Sequence, residues 1–471
     1  MKLTRIKLKN YYQFEDVEID LTYPKGHAKV GTPLDKVCFL GHSGTGKTTL
    51  LRLIKWFVSL KRDIGKDILL PLHPVPRSIE MDFRFLDLEY RMFNQKPDPY
   101  RNLNWEWSTG MSTETFHKIL EENYRIVKPV LINFPTELLW GQNPPPVEST
   151  DPVDELLKIK SREKGTDLLE NPSIIDFAVE DMSKHWEYIL DTIRSHRTRE
   201  LLIKKKLADT ALKKGTSTSQ KKELKKQADE YNKWLEENPS PLDSLSDECL
   251  DPLLFHMGLK VKRDIDETSI QNLGFIALQT INGQDVPFDF WSTGTRQFLQ
   301  TVIPLFQLKP KDAVILVDEP ERSLYPDIQR RIIDTYVKMA PDSQFFFATH
   351  SPIITSAFEP WEIVELKFDK EHKSVYRELY YNGDNHVDNY KYFPEYMRWD
   401  SILQRIFDLE DEGSDKRIEA LEELTEKRAQ IEKLKKIDKL DSGEGKKLVK
   451  RFHDLSKILG YTTRTENHET H

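Results

Sequence analysis

A glycine-rich segment near the start of the chain, GHSGTGKTT (Gly41–Thr49), has residue types and spacing suited to binding phosphate. It fits the pattern G-x-x-x-x-G-K-[ST] and follows an apolar run, KVCFL, that predicts a buried strand. The segment after it, TTLLRLIKWFVSL, has the apolar spacing of a helix. Glycines let successive backbone N–H groups face inward, and the N-terminus of a helix adds positive potential. We therefore predict that nine residues line a nucleotide-phosphate site: Gly41, His42, Ser43, Gly44, Thr45, Gly46, Lys47, Thr48 and Thr49.

Two residues of this segment have predicted roles of their own. The Lys47 ammonium can reach the β and γ phosphates of a triphosphate, and the Thr48 hydroxyl can ligate Mg²⁺. The alternative is a glycine turn that binds nothing, but the strand, the loop, the Lys-Thr pair and the helix all agree. ATP and Mg²⁺ are therefore the expected cofactors.

Two further apolar runs end in residues that could act on a bound phosphate. AVILVDEP contains Asp318 and Glu319, and FFFATHSP contains His350. We expect Asp318 to hold Mg²⁺ with Thr48, and Glu319 to orient and polarise the attacking water, because phosphoryl transfer needs positioning and charge compensation more than covalent help. His350 can sense the γ-phosphate and steady that water. Lys47, Glu319 and His350 are the predicted catalytic residues; solvated acids and a structural histidine are the alternatives.

The four-letter string WSTG occurs twice, from Trp107 and from Trp291. The second copy is followed by an amphipathic helical pattern, TRQFLQTVIPLF, and then by the acidic pair. Its Ser292 and Gly294 would lie at a helix N-terminus, where a phosphate can bind. The first copy has no such sequel, so we interpret Ser108–Gly110 as a strand end and turn.

Composition limits the classes of protein that the chain can represent. Its 471 residues suffice for one large domain with an insertion, and the net charge of −8 favours no particular partner. The two cysteines, Cys38 and Cys249, fit a reducing compartment, and Cys38 lies in an apolar run that favours core packing. With no apolar stretch long enough to span a bilayer and no signal peptide at the start, we expect a cytoplasmic protein without a membrane partner.

The order of strand and helix patterns predicts an α/β fold with four regions. Residues 1–147 would form one lobe with the phosphate loop, and the proline-rich stretch Asn143–Pro152 would end it. Residues 148–240 would form an inserted helical hairpin, with helical spacing from Ser173 to Leu212 and a returning helix after Gly215–Ser219. Residues 241–370 would form a second lobe, and residues 371–471 a charged helical region.

The predicted hairpin is strongly basic. Between Arg194 and Lys226 there are 12 Lys or Arg residues against Glu200, Asp209 and Glu223. A solvated hairpin kept soluble by its lysines is one interpretation, and contact with DNA phosphates or with an acidic protein is the other. No nuclease motif is evident: Asp408–Gly413 favours a solvated loop, and the segment NGDNHVDN has one histidine without a partner motif.

The order of these motifs resembles the ABC-type ATPase heads of the SMC, RecF and Rad50 group. The resemblance covers residues 1–147 and 241–370 and includes the start, LTRIKLKNYYQFEDVEIDL. It implies a mixed central sheet with an antiparallel β layer, an inserted helical arm and a helical C-terminal region. It also implies that ATP joins two copies of the chain, with Ser292 and Gly294 contacting the nucleotide of the other copy.

The sequence departs from this group in several places. A two-helix arm replaces the long coiled coil, and Thr295 follows Gly294 where an acidic residue is common. Tyr325 stands where close relatives often have histidine. No glutamine clearly matches the Q-loop of the group; Gln142 is a weak candidate, and a linker residue is the alternative.

The segments DEPERSLYP and STGTRQ are most similar to bacterial ATPases of the overcoming-lysogenisation-defect type, among them the ATPase subunits of the PARIS and Septu anti-phage systems. That resemblance implies an ATPase scaffold, paired or assembled into a larger ring, that restrains a separate nuclease toxin and releases it on sensing a phage protein. A DNA-repair or DNA-maintenance ATPase acting directly on DNA, and an assembly protein with slow hydrolysis, are the alternatives.

Overall fold

The first part of the chain forms a long mixed sheet. The middle strands of this sheet end at the motifs analysed above. The computed structural model describes residues 2–59, 78–85, 88–94, 106–107, 131–136, 174–178, 183–212, 218–263, 276–369, 371–379, 393–407, 413–436, 439 and 441–461. The chain divides into two units, Met1–Met397 and Arg398–His471, and each is described by itself.

Fifteen strands form two sheets within the described residues. In chain order they are β1 (Lys2–Tyr11), β2 (Phe14–Asp20), β3 (Lys36–Leu40), β4 (Ser78–Phe85), β5 (Leu88–Asn94), β6 (Glu106–Trp107), β7 (Leu131–Phe134), β8 (Ile174–Asp176), β9 (Leu259–Val261), β10 (Leu278–Thr280), β11 (Asp285–Val286), β12 (Val314–Asp318), β13 (Gln344–Ala348), β14 (Ile363–Asp369) and β15 (Ser374–Arg377). The large sheet has the order β6-β5-β4-β1-β2-β15-β14-β3-β13-β12-β7-β8, and β11-β10-β9 form a small sheet.

The large sheet combines two kinds of strand pairing. From β14 to β8 the neighbours are parallel, with β3, β13 and β12 side by side at the centre. From β6 to β2 the neighbours are antiparallel, and β15 joins the two parts. Every described residue of β12 and β13 is buried, as continuous apolar runs covered on both faces should be. The predicted α/β class, with a mixed central sheet and an antiparallel layer, is confirmed.

Within the described residues of the first unit, some helices contact this sheet and others form the arm. They are α1 (Lys47–Ser59), α2 (Ser183–Leu212), α3 (Thr218–Glu237), α4 (Pro241–Leu245), α5 (Asp251–Leu254), α6 (Thr293–Leu308), α7 (Pro326–Met339) and α8 (Pro352–Thr355). A π-helical turn spans Ser246–Leu250. Both cysteines are buried, as the apolar context of Cys38 predicts, and burial raises the pKa of both thiols.

The predicted helical hairpin is formed by α2 and α3, which contact each other. Near its root, Ile189, Leu190 and Ile193 are buried, and α2 packs against α6. The His196 ring lies 5.0 Å from the ring of Trp234 on α3, and its Nε2 is 2.8 Å from the carbonyl oxygen of Asn238. The packing of α2 on α6 joins the arm to the helix that follows the second WSTG, and the contacts of His196 hold α2 against the end of α3.

Two short strands depart from the sequence interpretation. Ile174–Asp176, placed in the helical insertion, form β8 and pair with β7 at the edge of the large sheet. Ser374–Arg377, placed in the helical C-terminal region, form β15 and pair with β14. Both strands are too short to show a period, and only their neighbours in the sheet fix them. The predicted linker Asn143–Pro152 lies outside the described residues.

The described residues of the second unit form three helices: α9 (Trp399–Arg405), α10 (Asp415–Lys436) and α11 (Gly443–Ile458). The Arg451 guanidinium of α11 donates two hydrogen bonds, at 2.8 and 2.6 Å, to the Glu423 carboxylate of α10. Across the described part of the chain, no helix is long and apolar enough to cross a membrane.

Candidate nucleotide site

The loop between β3 and α1 curls around the side chain of its own lysine. Gly41 and Gly46 have φ angles of 142° and 90°, where a residue with a side chain would be strained. At Gly41 a Cβ atom would also collide with the backbone carbonyl of Leu366 in β14. The Lys47 ammonium donates to the carbonyl oxygens of Gly41 and His42 at 2.8 and 3.0 Å. Glycines are thus needed for the curl that the motif predicts.

Side-chain hydrogen bonds from Thr45 and Gln13 also hold the loop. The buried Thr45 hydroxyl donates to the His42 carbonyl at 2.9 Å. The Gln13 amide, in the turn between β1 and β2, donates to the Gly44 carbonyl at 3.2 Å. Thr49 is half-buried in the first turn of α1, and the exposed tip of the loop is formed by His42, Ser43 and Gly44.

Lys47 is buried among acidic groups. Its residue is only 6% exposed, and burial lowers the pKa of its ammonium to about 8. The charges of Asp318, Glu319 and Glu321 act in the opposite direction and favour the charged form. An ammonium that burial disfavours gains most from an anionic ligand such as a phosphate.

The Asp318 carboxylate, at the end of β12, accepts two hydroxyl donors. Thr48 Oγ1 lies 2.9 Å from Oδ2 and 3.2 Å from Oδ1, and Thr136 Oγ1 lies 3.0 Å from Oδ2. Thr136 follows β7, the strand beside β12. The segments that follow β3 and β7 and the end of β12 therefore bring the oxygen atoms of Thr48, Thr136 and Asp318 together.

Glu319 begins a tightly constrained loop. It has a φ of 52°, and its N–H donates to the Ala348 carbonyl of β13 at 2.8 Å. A non-glycine residue in this region is uncommon and is held there by surrounding structure. The backbone of the half-buried Glu319 is thus fixed at the same edge of the sheet as Asp318.

His350 lies at the end of β13, next to the lysine. Its Nδ1 is 3.5 Å from Lys47 Nζ. Burial, and then the charge of Lys47, lowers the pKa of His350, so the ring is neutral near pH 7. Its backbone N–H donates to Glu321 Oε1 at 2.8 Å, and burial raises the pKa of that carboxyl. A neutral imidazole can donate or accept a hydrogen bond at this position.

Ser292 and Gly294 lie at the N-terminus of α6, as predicted. Ser292 is the N-cap, and its Oγ accepts from the Thr295 N–H at 3.0 Å. Gly294 has no room for a Cβ atom, which would collide with the Ser323 carbonyl in the loop that follows the acidic pair. Within the described residues no hydrogen bond joins this segment to the loop Gly41–Gly46.

These side chains fit a nucleotide with Mg²⁺. The loop supplies N–H groups and an ammonium for phosphate, and the hydroxyls and carboxylate supply the hard oxygens that Mg²⁺ prefers. Three carboxylates around one lysine also leave an excess of negative charge that a divalent cation would compensate. Among the described residues, no group of three or more His, Cys, Asp or Glu side chains is placed to hold a metal ion, and Mg²⁺ is commonly bound by one or two carboxylates together with phosphate and water oxygens.

The structure brings Lys47, Thr48, Asp318, Glu319 and His350 together at one edge of the sheet, whereas Ser292 and Gly294 lie at a separate helix end. Three residues near the site were not predicted from the sequence: Gln13, Thr136 and Glu321. The third acid in DEPER was a visible signal for Glu321, and a polar residue after the apolar run LINF was a weaker one for Thr136. Gln142 and Ser108–Gly110 lie outside the described residues.

Two protein families match the chain. One is described as "AAA ATPase domain" and matches residues 1–138. The other is described as "AAA domain, putative AbiEii toxin, Type IV TA system" and matches residues 156–356. Between them the two matches include the phosphate loop, the N-terminus of α6, the acidic pair and His350.

Similar solved structures include three SMC head domains. An SMC head bound to the C-terminal winged-helix domain of ScpA has 11% identity and a TM-score of 0.42, covering 80% of this chain and 97% of that one. The SMC head domain of Thermotoga maritima has 10% identity and a TM-score of 0.38, covering 80% and 98%. A head with an extended coiled coil, bound to the C-terminal domain of ScpA from Pyrococcus furiosus, has 12% identity and a TM-score of 0.39, covering 80% and 95%.

The family matches and the geometry of the site agree with each other. The matched ranges include the loop that can hold phosphate and the oxygen atoms that could bind Mg²⁺. They also include the three neighbouring strands that carry the site: β3 before the phosphate loop, β13 before His350 and β12 with Asp318. Together they support an ATPase of the AAA type.

Proposed function

We propose that this protein is an ATP-hydrolysing sensor and scaffold of a bacterial anti-phage defence system. In this role it restrains a separate nuclease toxin and releases the toxin on sensing a phage protein. The observation that carries the ATP-hydrolysing part of the proposal is the convergence of Lys47, Thr48, Asp318 and His350 at the ends of adjacent strands. Slow, regulatory hydrolysis of ATP to ADP and phosphate is the activity that we assign to it.

In the proposed reaction each side chain has one task. The N–H groups of the loop and the Lys47 ammonium bind the β and γ phosphates, while Thr48 and Asp318 hold Mg²⁺. When bound, Mg²⁺ compensates the charge that develops on the phosphate oxygens. Glu319 orients and polarises the attacking water, and neutral His350 hydrogen-bonds near the γ-phosphate. Because positioning dominates this chemistry, the constrained backbone at Glu319 fits its role.

We further propose that ATP is held between two copies of the chain. Ser292 and Gly294 present the N-terminus of a sixteen-residue helix and make no hydrogen bond to the phosphate loop of their own chain within the described residues. That helix end is suited to a phosphate bound by a second copy. Residues 1–147 and 241–370 would then form the head, and residues 148–240 mainly the arm, with β8 contributing to the head sheet.

The defence role is supported by what the chain resembles. One matching family carries a toxin–antitoxin description. The size, the short arm and the charged helical C-terminal region are similar to AriA, the ATPase subunit of PARIS, and PtuA of Septu is a second similar protein. We assign the toxin function to a partner and the restraining function to this chain.

The test uses the protein in its own operon. Phage plating is compared for the wild-type operon and for Lys47→Ala and Glu319→Gln variants, and proteins that co-purify with a tagged chain are identified. We expect both variants to lose protection and a small nuclease to co-purify with the wild type. Full protection by both variants, or the lack of any effector gene or co-purifying nuclease, would contradict the proposal.

The basic arm favours a second candidate function, an ATPase that maintains or repairs DNA directly. Lys204, Lys205 and Lys206 are exposed on α2, and Lys225 and Lys226 are exposed on α3. These exposed lysines suit contact with DNA phosphates. The affinity of such binding would fall steeply as the salt concentration rises, because binding releases counterions from the DNA. Tight, salt-dependent binding of duplex DNA by the purified protein, together with no phage protection, would favour this function over the first.

A further inference from the structure

Thr136 is a hydroxyl residue at the metal end of the site that no sequence motif marks. It lies two residues after the end of β7, and its Oγ1 donates to Asp318 Oδ2 at 3.0 Å. Thr48 donates to the same oxygen at 2.9 Å. Two threonines therefore orient Asp318, the acidic residue expected to hold Mg²⁺. One follows β3 and the other follows β7, and these strands lie on either side of β12 in the sheet.

The position of Thr136 is itself fixed by the loop that follows the acidic pair. Arg322 Nη1 donates to the Thr136 carbonyl oxygen at 2.9 Å. Arg322 lies three residues after Glu319, in the loop whose Ser323 carbonyl covers Gly294. Arg322 thus holds the main chain of Thr136, and the side chain of Thr136 in turn holds Asp318.

The chemistry of this arrangement is that of a hard cation. Mg²⁺ is usually bound by one or two carboxylates with phosphate and water oxygens, and the orientation of those carboxylates is set by their hydrogen-bond partners. Asp318 is 9% exposed and is the carboxylate shared by both hydroxyls. A carboxylate with two fixed donors keeps one orientation, which lowers the reorganisation needed when a metal binds.

We propose that Thr136 is a positioning residue of the Mg²⁺ site, orienting Asp318 together with Thr48 and clamped in place by Arg322. This inference rests on the proposed function, because it concerns the metal that accompanies ATP. A purely structural hydroxyl is the competing explanation. In that case its loss would change the stability of the fold and leave the affinity for metal unchanged.

The test measures metal affinity directly, with Mn²⁺ as the probe for Mg²⁺. Free Mn²⁺ is titrated by electron paramagnetic resonance in the presence of the full chain and a non-hydrolysable ATP analogue. Thr136→Val removes the hydroxyl with little change of shape, and Thr136→Ser retains it. Thr335→Val serves as the control, since the exposed Thr335 hydroxyl bonds only within α7, to the Arg331 carbonyl.

We expect Thr136→Val to weaken Mn²⁺ binding about 10- to 100-fold, the range found when partners of metal ligands are removed. Thr136→Ser and Thr335→Val should bind Mn²⁺ as the wild type does, and binding of the analogue without metal should be unchanged in all four proteins. Arg322→Gln should weaken Mn²⁺ binding in the same direction, because it removes a donor to the Thr136 carbonyl.

Two outcomes separate the possible failures. If Thr136→Val binds Mn²⁺ as tightly as wild type, or unfolds at lower temperature with unchanged metal affinity, Thr136 has no role in the metal site. If the wild-type chain shows no Mn²⁺ binding that depends on the nucleotide, the proposed function itself fails.

Discussion

At Lys47 two opposing effects meet in one side chain. Burial disfavours the ammonium, whereas Asp318, Glu319 and Glu321 favour it, and the net result is a pKa of about 8. His350, 3.5 Å away, stays neutral because burial and the same ammonium lower its pKa. A bound phosphate could therefore pair with the Lys47 ammonium, and a bound cation could pair with the nearby carboxylates.

The lowered pKa of Lys47 predicts that nucleotide binding depends on pH. A bound phosphate favours the ammonium, so the pKa of Lys47 is higher in the complex than in the free protein. Above pH 8 the complex therefore carries more protons than the free protein, and affinity falls with rising pH, by up to about tenfold per pH unit. Isothermal titration calorimetry in two buffers of different ionisation enthalpy should show proton uptake at pH 8.5 and none at pH 6.5.

The matched control for this prediction is Lys47→Arg. A guanidinium stays charged throughout the range, so any residual binding by this variant should be flat between pH 7 and pH 9. Proton uptake by the arginine variant as well would show that another group titrates.

Glu321 gives a second prediction at this scale. Its carboxyl accepts the His350 N–H, and Glu321→Gln keeps a carbonyl oxygen for that bond, whereas Glu321→Ala does not. An unpaired, partly buried N–H costs about 1–3 kcal/mol, enough to shift His350 and lower turnover roughly tenfold or more. ATPase assays should therefore show a large loss for Glu321→Ala and a small one for Glu321→Gln. Equal rates in the two variants would remove the positioning role.

Among the elements, the arm connects a basic surface to the site. Its helix α2 packs against α6, whose N-terminus carries Ser292 and Gly294. The strand β8, which precedes α2 along the chain, lies at the end of the sheet order beside β7 and is held by Asp176. Although burial acts to raise it, hydrogen bonds from Lys55 and Asn133 keep the pKa of Asp176 below its ordinary value. Both ends of the arm root are thus tied to elements that carry site residues.

Reversing the charge of the arm should separate partner recognition from hydrolysis. Changing Lys204, Lys205 and Lys206 to glutamate reverses the charge of three exposed side chains and leaves the buried root intact. We expect ATPase activity to stay near the wild-type value while phage protection, or DNA binding measured by fluorescence anisotropy, is lost. The matched control changes Lys446, Lys447 and Lys450, exposed on α11, to glutamate. A full response from the arm variant would identify the lysines as a solvated surface.

At the scale of the whole molecule, the main feature is that the phosphate loop and the acidic pair lie apart from Ser292 and Gly294. The phosphate loop and the acidic pair lie at the ends of sheet strands, whereas the helix end with Ser292 is held against the Ser323 loop. On the proposal above, a single chain would offer two phosphate-binding surfaces, one at the phosphate loop and one at the N-terminus of α6. Two copies arranged about a two-fold axis would bring each surface to the other's nucleotide.

Blocking hydrolysis should trap such a dimer. Glu319→Gln keeps the shape of the side chain and removes its charge, so ATP stays bound and the two copies remain joined. Light scattering should give the mass of a dimer with ATP and a lower mass without it. Adding Ser292→Ala should reduce the dimer, whereas Ser442→Ala, which removes the N-cap of α11, should not, although each cap is worth about 1 kcal/mol to its own helix. An unchanged mass on adding ATP would contradict the shared-nucleotide arrangement.

The amino-acid sequence by itself determined the local features of this protein. The alternation in β1 and β2, the apolar runs of β3, β12 and β13 and the helical spacing of α1, α2 and α3 are patterns of neighbouring residues, and the structure confirms them. The spacing of glycines and lysine around Gly41 and the position of Ser292 before α6 are equally local.

Only the tertiary structure decided which distant residues meet. The pairing of β7 with β12 brings Thr136 to Asp318, and the pairing of β12 with β13 brings the Glu321 loop to His350. The short strands β8 and β15 are likewise fixed by their partners in the sheet and have no period of their own. Strand order arises from contacts between segments far apart in the chain, and no local pattern encodes it.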